Sequence, residues 1–326
     1  MRIHRLALMV FVALAGAGVL PGNASAQDYP NKALRLIVPF PPGGGNDILA
    51  RSVGQRLAEA IGQQVIVDNR GGAGGLIGAE LAAKAVPDGY TIFLASIGNL
   101  AFMPALHAKL PYDPVRDFAP LTLLATSAFI MVVNPSLPAK SVKELIALAR
   151  AKPGQINYGS SGQGSSLHLT GEIFKLATST DLVHVPYKGS APALTDLIAG
   201  QVQIMFGTMP PTLPHVKTGK LRALGVSGTK RSVAAPEVPT IAEAGVPGFE
   251  VLNWYGIVAP SKTPAAIVQR LNGELVKTLT AREMIESLGT QGLEAAGGTP
   301  ERFGVFIKSE IAKYAKVIKA AGIRAE

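Results

Sequence analysis

One stretch constrains the fold of this chain more than any other: Leu34-Arg35-Leu36-Ile37-Val38-Pro39-Phe40-Pro41-Pro42-Gly43-Gly44-Gly45-Asn46-Asp47. A short apolar run ends in a rigid proline pair, passes through three glycines and reaches Asn and Asp before Ile48-Leu49-Ala50. This is the pattern of a buried strand, a tight loop and a helix start. Glycine lets backbone N–H groups face a guest because no Cβ blocks the approach. The helix start adds unpaired N–H donors and the positive end of its dipole, a combination that attracts anions. A second loop of the same kind, Asn157-Tyr158-Gly159-Ser160-Ser161-Gly162-Gln163-Gly164-Ser165-Ser166, follows about 120 residues later. Two such loops in one chain suggest capture of a small acid.

The first 26 residues carry a basic head (Arg2, His4, Arg5), an apolar segment from Leu6 to Leu20 and the small-residue ending Ala24-Ser25-Ala26. That is the pattern of a secretory signal peptide, with an apolar core too short to span a membrane. The expected cut follows Ala26 and leaves Gln27 first, which places the mature protein in the periplasm. The absence of cysteine excludes disulfides, thiolate metal sites and a lipidated N-terminal Cys. Stability must then come from packing, and about 300 mature residues suffice for two ordinary domains.

The formal net charge is +9, and removing Arg2 and Arg5 leaves +7. The basic residues are scattered, and the C-terminal set Lys308, Lys313, Lys316, Lys319 and Arg324 has the spacing of a solvated helix face. Ile307, Ile311, Tyr314 and Ile318 lie between them. Attraction of small anions accounts for the charge better than nucleic acid does.

Strand-like and helical segments alternate, which implies parallel strands covered on both faces. Leu34–Pro39, 64–67 and 90–95 read as strands, with helices from Asp47 to about Ile61 and from Leu76 to Ala85. Leu121–Val133 is longer than one ordinary sheet needs and reads as a connection into a second domain. That domain opens with Ser141 and Glu144 at capping-box spacing. It repeats the scheme: strands at 156–158, 182–185, 202–206 and 221–226, and helices from Ser166 and over 193–199. Phe249–Val258 reads as the return crossing, and two C-terminal helices follow Pro264. The expected fold class is α/β, two doubly wound lobes with a ligand cleft between them. Lobe 1 is 27–127 plus 251–326, and lobe 2 is 128–250.

Several sharper readings fail on spacing. The first loop lacks the Walker A pattern. Gly159-Ser160-Ser161-Gly162-Gln163 departs from the G-x-S-x-G hydrolase elbow at Gln163. Gly72-Ala73-Gly74-Gly75-Leu76-Ile77 departs from the dinucleotide fingerprint at Ile77. The histidines form no cluster of metal spacing. His168 reads as a packed or capping residue. Asp47 reads as a cap or loop brace, since a carboxylate aimed at an anionic guest would repel it. Ser96 and Asn99 follow one strand and Thr208 another, at carboxyl ends where open α/β sheets bind ligands. Trp254, with Tyr255 beside it in the return crossing, reads as hinge packing, with ligand stacking as the alternative. No cofactor and no metal are expected.

Taken in order, several segments resemble the Bug-type extracytoplasmic receptors of the tripartite tricarboxylate transporter family. They are Pro39-Phe40-Pro41-Pro42-Gly43-Gly44 with Asp47, the Asn69-Arg70 glycine loop, and Pro87-Asp88-Gly89-Tyr90-Thr91. Further along come Tyr158-Gly159-Ser160 through His168-Leu169, Val185-Pro186-Tyr187-Lys188-Gly189 and Trp254-Tyr255-Gly256. The resemblance implies a two-lobed, type II-like periplasmic binding fold that closes on a small carboxylated molecule. Carried over, one gripping loop supplies Phe40, Pro42, Gly43, Gly44 and Asp47. The other supplies Ser160, Ser161, Gly164, Ser165 and Ser166. Ser96, Asn99 and Thr208 would then select the ligand's distal end. The implied ligand is a di- or tricarboxylate, an aromatic acid or an acidic amino acid. The implied partner is an integral membrane permease, served by a monomeric receptor that is not an enzyme. Two other classes compete: a receptor feeding a sensor kinase, and an exported serine hydrolase using Ser161 with His168.

Overall fold

A computed structural model describes residues 29–320 and 322–323. The expected signal peptide and its cleavage point lie outside the described residues.

The strand–loop–helix opening forms as its sequence dictates. Strand β1 (Leu34–Val38) is almost wholly buried, and helix α1 (Gly45–Ile61) turns Leu49, Val53, Leu57 and Ile61 inward. Gly62, at φ 68°, ends α1 by donating its N–H to the Ala58 carbonyl. A left-handed cap of this kind suits glycine, which has no Cβ to strain. Strands β2 (Val65–Asn69) and β3 (Thr91–Ser96) flank β1 in parallel. Helix α2 (Leu76–Ala83) lies between them in sequence, and a π-type turn at Gly98–Phe102 leads into the short α3 (Met103–Leu106).

Strand β4 (Phe118–Val133) then runs 16 residues. Next come α4 (Val142–Ala151), β5 (Ile156–Ser160), α5 (Ser166–Thr178), β6 (Leu182–Pro186), α6 (Ser190–Ile198), β7 (Ile204–Thr208), α7 (Met209–Lys217) and β8 (Arg222–Val226). Strand β9 (Leu252–Pro260) returns, followed by α8 (Ala265–Thr280), α9 (Arg282–Thr290), β10 (Glu294–Ala295) and α10 (Pro300–Ala320). The sheet order is β2-β1-β3-β9-β4-β7-β5-β6, with β8 and β10 also paired to β4. Strand β5 is parallel to β6 and β7, so each half has a parallel core.

The halves meet on β4 and β9, which run antiparallel. Strand β4 pairs with β9 from Phe118 to Ala128, then with β7 and β8 from Phe129 onward. Ser227, fully buried, stitches this switch. Its Oγ accepts from the Phe129 N–H (2.8 Å) and donates to the Val251 carbonyl (2.5 Å). Its backbone N–H and C=O bond Phe129 and Val251 as well.

Three differences from the sequence expectation stand out. Residues after Pro264 form three helices, because the break at Ala281 divides the first expected segment into α8 and α9. Helix α7 was not expected, since Pro210, Pro211 and Pro214 argue against a helix; the first two sit in its opening turn, where no N–H is needed. The Glu144 carboxylate accepts from the Lys140 N–H (2.7 Å), one residue earlier than a standard capping box. The other half of that box forms as expected, with the Glu144 N–H donating to Ser141 Oγ.

The apolar residues of the last helix behave as their spacing implies: Ile307, Tyr314 and Ile318 are buried and Ile311 half-buried. No helix among the described residues is long and apolar enough to cross a membrane.

Candidate functional site

The parallel strands of both halves send their carboxyl ends, and the helices that follow, toward one region. Strand β1 leads into the first glycine loop and α1. Strand β5 leads into the serine loop and α5, β6 into Gly189 and α6, and β7 into Thr208 and α7. Spatial proximity is close. A methyl built on Gly44 would fall 2.7 Å from Ser190 Oγ, the first residue of α6. One built on Gly45 would fall 2.7 Å from Thr208 Oγ1 and 3.0 Å from Tyr255 Oη. One built on Gly98 would fall 3.4 Å from the Ser166 nitrogen. The starts of α6 and α7 thus pack against the first glycine loop, and the start of α5 packs against the turn after β3; the dipole and unpaired N–H groups of a helix start favour an anion.

No lysine or arginine is buried among the described residues.

Asp47 braces the first loop. Its carboxylate accepts from the Gly43 N–H (3.0 Å), from Asn69 Nδ2 (3.0 Å) and from the Arg51 guanidinium (2.9 Å). Burial alone would raise this carboxyl, but those bonds outweigh it and hold Asp47 below the usual carboxylate range. Asn69 Nδ2 also donates to the Phe40 carbonyl. Gly43, at φ 87°, needs glycine's freedom, whereas Gly44, at φ −87°, has an ordinary backbone.

The second loop is tied from beneath. Ser160 Oγ lies 2.6 Å from His184 Nε2 and accepts from the Gly162 N–H. The Gly164 N–H donates to His168 Nδ1 (3.1 Å), and Ser165 Oγ caps α5 by accepting from the His168 N–H. The two imidazoles stack. Burial pushes His168 down to about 4 and His184 to about 3, so both are neutral at ordinary pH. No hydrogen bond joins Ser161 to His168 among the described residues, and the serine nearest an imidazole is the fully buried Ser160.

The remaining expected positions divide. Asn99 turns its side chain onto Ser96, accepting from the Ser96 N–H and donating to Ser96 Oγ. Thr208 lies against Gly45 of the first loop. Phe40, Pro42 and Ser161 line a cavity of about 540 Å³ together with Tyr187, Lys188 and Gly189. Tyr255 and Ser190, which the sequence does not single out, also lie against the first loop. Tyr255 faces Gly45, while Trp254, one residue away and so on the opposite face of β9, packs on Phe303 and Phe306 and donates to Glu310. The alternation of β9 could have separated them.

A larger groove of about 800 Å³ lies beside Lys140, Arg222 and Glu243. Three of its charged side chains are engaged: Arg222 donates to the Leu137 and Ala139 carbonyls, and Arg231 pairs with Glu243. It contains none of the loop residues.

The model of the tripartite tricarboxylate transporter family receptor matches residues 49–323. The chain belongs to that receptor family. Protein BugT of Bordetella pertussis is 37% identical over 325 residues, covering 99% of both chains. Among solved structures, Rpa4515 of R. palustris with adipate superposes at a TM-score of 0.89 with 40% identity, covering 91% of this chain and 99% of that one. MatC from Rhodopseudomonas palustris with bound malate gives 0.85 and 30% identity over 89% and 100%. The family receptor therefore has the periplasmic binding fold.

Proposed function

We propose that this family receptor captures a small carboxylated molecule between its halves and delivers it to a two-component membrane permease. The supporting observation is the approach of Gly44 and Gly45 to Ser190 and Thr208, which brings helix starts of both halves together. The lobes are 27–127 plus 251–326 and 128–250. Their boundaries fall near the partner switch of β4 at Ala128/Phe129. A ligand that touches both lobes favours the closed arrangement by its differential affinity for it, and closure presents a surface to the permease. Phe40–Asp47 and Ser160–Ser166 form the grip. Ser96, Asn99 and Thr208 extend it. The receptor works as a monomer in the periplasm after cleavage behind Ala26.

Adipate and malate in the relatives' structures make dicarboxylates the first ligands to test. Binding without turnover fits the site better than hydrolysis, because no histidine is bonded to Ser161 among the described residues and His168 is spent on Gly164. The test is uptake of labelled dicarboxylates by cells with and without the gene. Loss of uptake of one acid on deletion supports the role. Unchanged uptake of the acid that the purified protein binds overturns it and favours a sensing receptor.

A further inference from the structure

The cavity of about 540 Å³ is walled by both halves: Phe40, Pro42 and Gly74 line it from the first, Ser161, Tyr187 and Lys188 from the second. The halves also touch along it. A methyl built on Gly74 would run into the Gln163 carbonyl, and one built on Gly189 would fall 3.1 Å from Pro41 Cδ; all four residues line the cavity. Its volume lies in the range of small-molecule sites.

Of the residues that line this cavity, Lys188 alone is charged. Its ammonium has no hydrogen-bond or ion-pair partner among the described residues. Acids of the adjoining elements are committed elsewhere. Asp47 accepts from Gly43, Asn69 and Arg51, and Asp196 accepts from the Tyr187 hydroxyl at 2.8 Å. The root of the lysine is nevertheless fixed. On one side the Tyr187 N–H donates to the Ser160 carbonyl (3.1 Å), and on the other Gly189, at φ 112°, packs on Pro41. Only the flexible four-carbon stem is free to swing the charge.

A free cation in an otherwise uncharged cavity changes what the cavity can hold. A helix start supplies only a fraction of a charge, about +0.5. That suits one carboxylate. A second carboxylate in the same enclosure would repel the first, and more strongly than in bulk water. An ammonium within reach offsets that repulsion, whereas a monoacid gives it nothing to meet.

We propose that Lys188 pairs with the second carboxylate of a bound dicarboxylate and so sets the receptor's preference for dianions over monoanions. This rests on the receptor reading above and adds to it a residue outside both gripping loops, on the turn between β6 and α6.

The experiment compares wild type with Lys188→Met, Lys188→Arg and Lys220→Met. Lys220 is exposed on the same half but does not line the cavity, so its variant removes the same charge elsewhere. The probes are two matched pairs, adipate with hexanoate and malate with 3-hydroxybutyrate, in which a methyl replaces one carboxylate. Calorimetric Kd is read at low and high NaCl, alongside the Tm of ligand-free protein. The expected result is a dicarboxylate Kd weakened about tenfold in Lys188→Met, with the monoacids unchanged within about twofold. Lys188→Arg and Lys220→Met should stay close to wild type. The salt dependence of dicarboxylate binding should flatten in Lys188→Met. Ligand-free Tm should not move, because the lysine is exposed and unpaired. A dicarboxylate Kd that Lys188→Met leaves unchanged, or an equal weakening of both members of a pair, overturns the proposal and leaves the receptor reading standing. So does a wild type that binds monoacids only. If no acid binds wild type, the receptor reading fails and takes the proposal with it.

Discussion

His168 and His184 stack with ring centroids 3.9 Å apart and planes inclined by 21°, directly beneath the loop that opens α5. Each ring holds one end of that loop, His184 through Ser160 and His168 through Gly164. Tyr158 stacks on His184 and donates to Glu172, which also pairs with Lys175. This buried layer requires neutral imidazoles.

The consequence is acid sensitivity with a defined sign. Burial lowers His168 from 6.5 to about 4 and His184 from 6.5 to about 3. The unfolded chain therefore takes up protons that the folded chain refuses. Their contribution to stability is present above pH 6.5 and is lost as pH falls toward 3. Urea midpoints measured between pH 7 and 4 should fall more in wild type than in His168→Asn, which keeps an acceptor for Gly164 but does not titrate. Equal slopes would remove the histidine pair from the account.

Gly44→Ala tests the amide cradle. The backbone at Gly44 is ordinary, so no strain is imposed, and the added methyl meets only the Ser190 hydroxyl at 2.7 Å, which can rotate. The protein should fold with a Tm within a few degrees of wild type and bind its acid at least tenfold more weakly. Circular dichroism and calorimetry together check both halves of the expectation.

Asp47→Ala should destabilise rather than merely weaken binding. It leaves the Gly43 N–H and Asn69 Nδ2 without their acceptor and frees Arg51. Loss of a buried charged acceptor costs about 1–3 kcal/mol. A denaturant titration reads it. A change below about 0.5 kcal/mol, the size of an ordinary surface substitution, would show that the brace is dispensable.

Ser227→Ala removes a side chain that serves both crossing segments at once. The Phe129 N–H and the Val251 carbonyl lose a partner in a fully buried place. We expect a loss of about 1–3 kcal/mol per orphaned group. Ser227→Thr, which keeps the hydroxyl, should retain part of it if the extra methyl fits.

Much of this arrangement is legible in the residues. The apolar run, glycines and Asp47 define β1, its loop and α1, because local propensity and burial agree there. Asp47 as a brace follows from charge alone. Helix α7 is not legible, since its prolines oppose helix locally and packing on β4, β7 and α1 overrides them. Helix α6 begins at Ser190, three residues before the 193 expected from the sequence, because Gly189-Ser190-Ala191-Pro192 reads as loop. Tyr255 is hidden for a different reason. An apolar strand buried on both faces gives no sign of which side meets the site, and its contact with Gly45 joins residues 210 positions apart.

The most direct measurement is calorimetric titration of the ligand-free receptor with a dicarboxylic acid and with its diamide. A cradle of amides, hydroxyls and helix dipoles predicts binding of the acid, with adipate and malate tested first, and none of the diamide. Equal binding of the neutral compound would contradict the carboxylate grip.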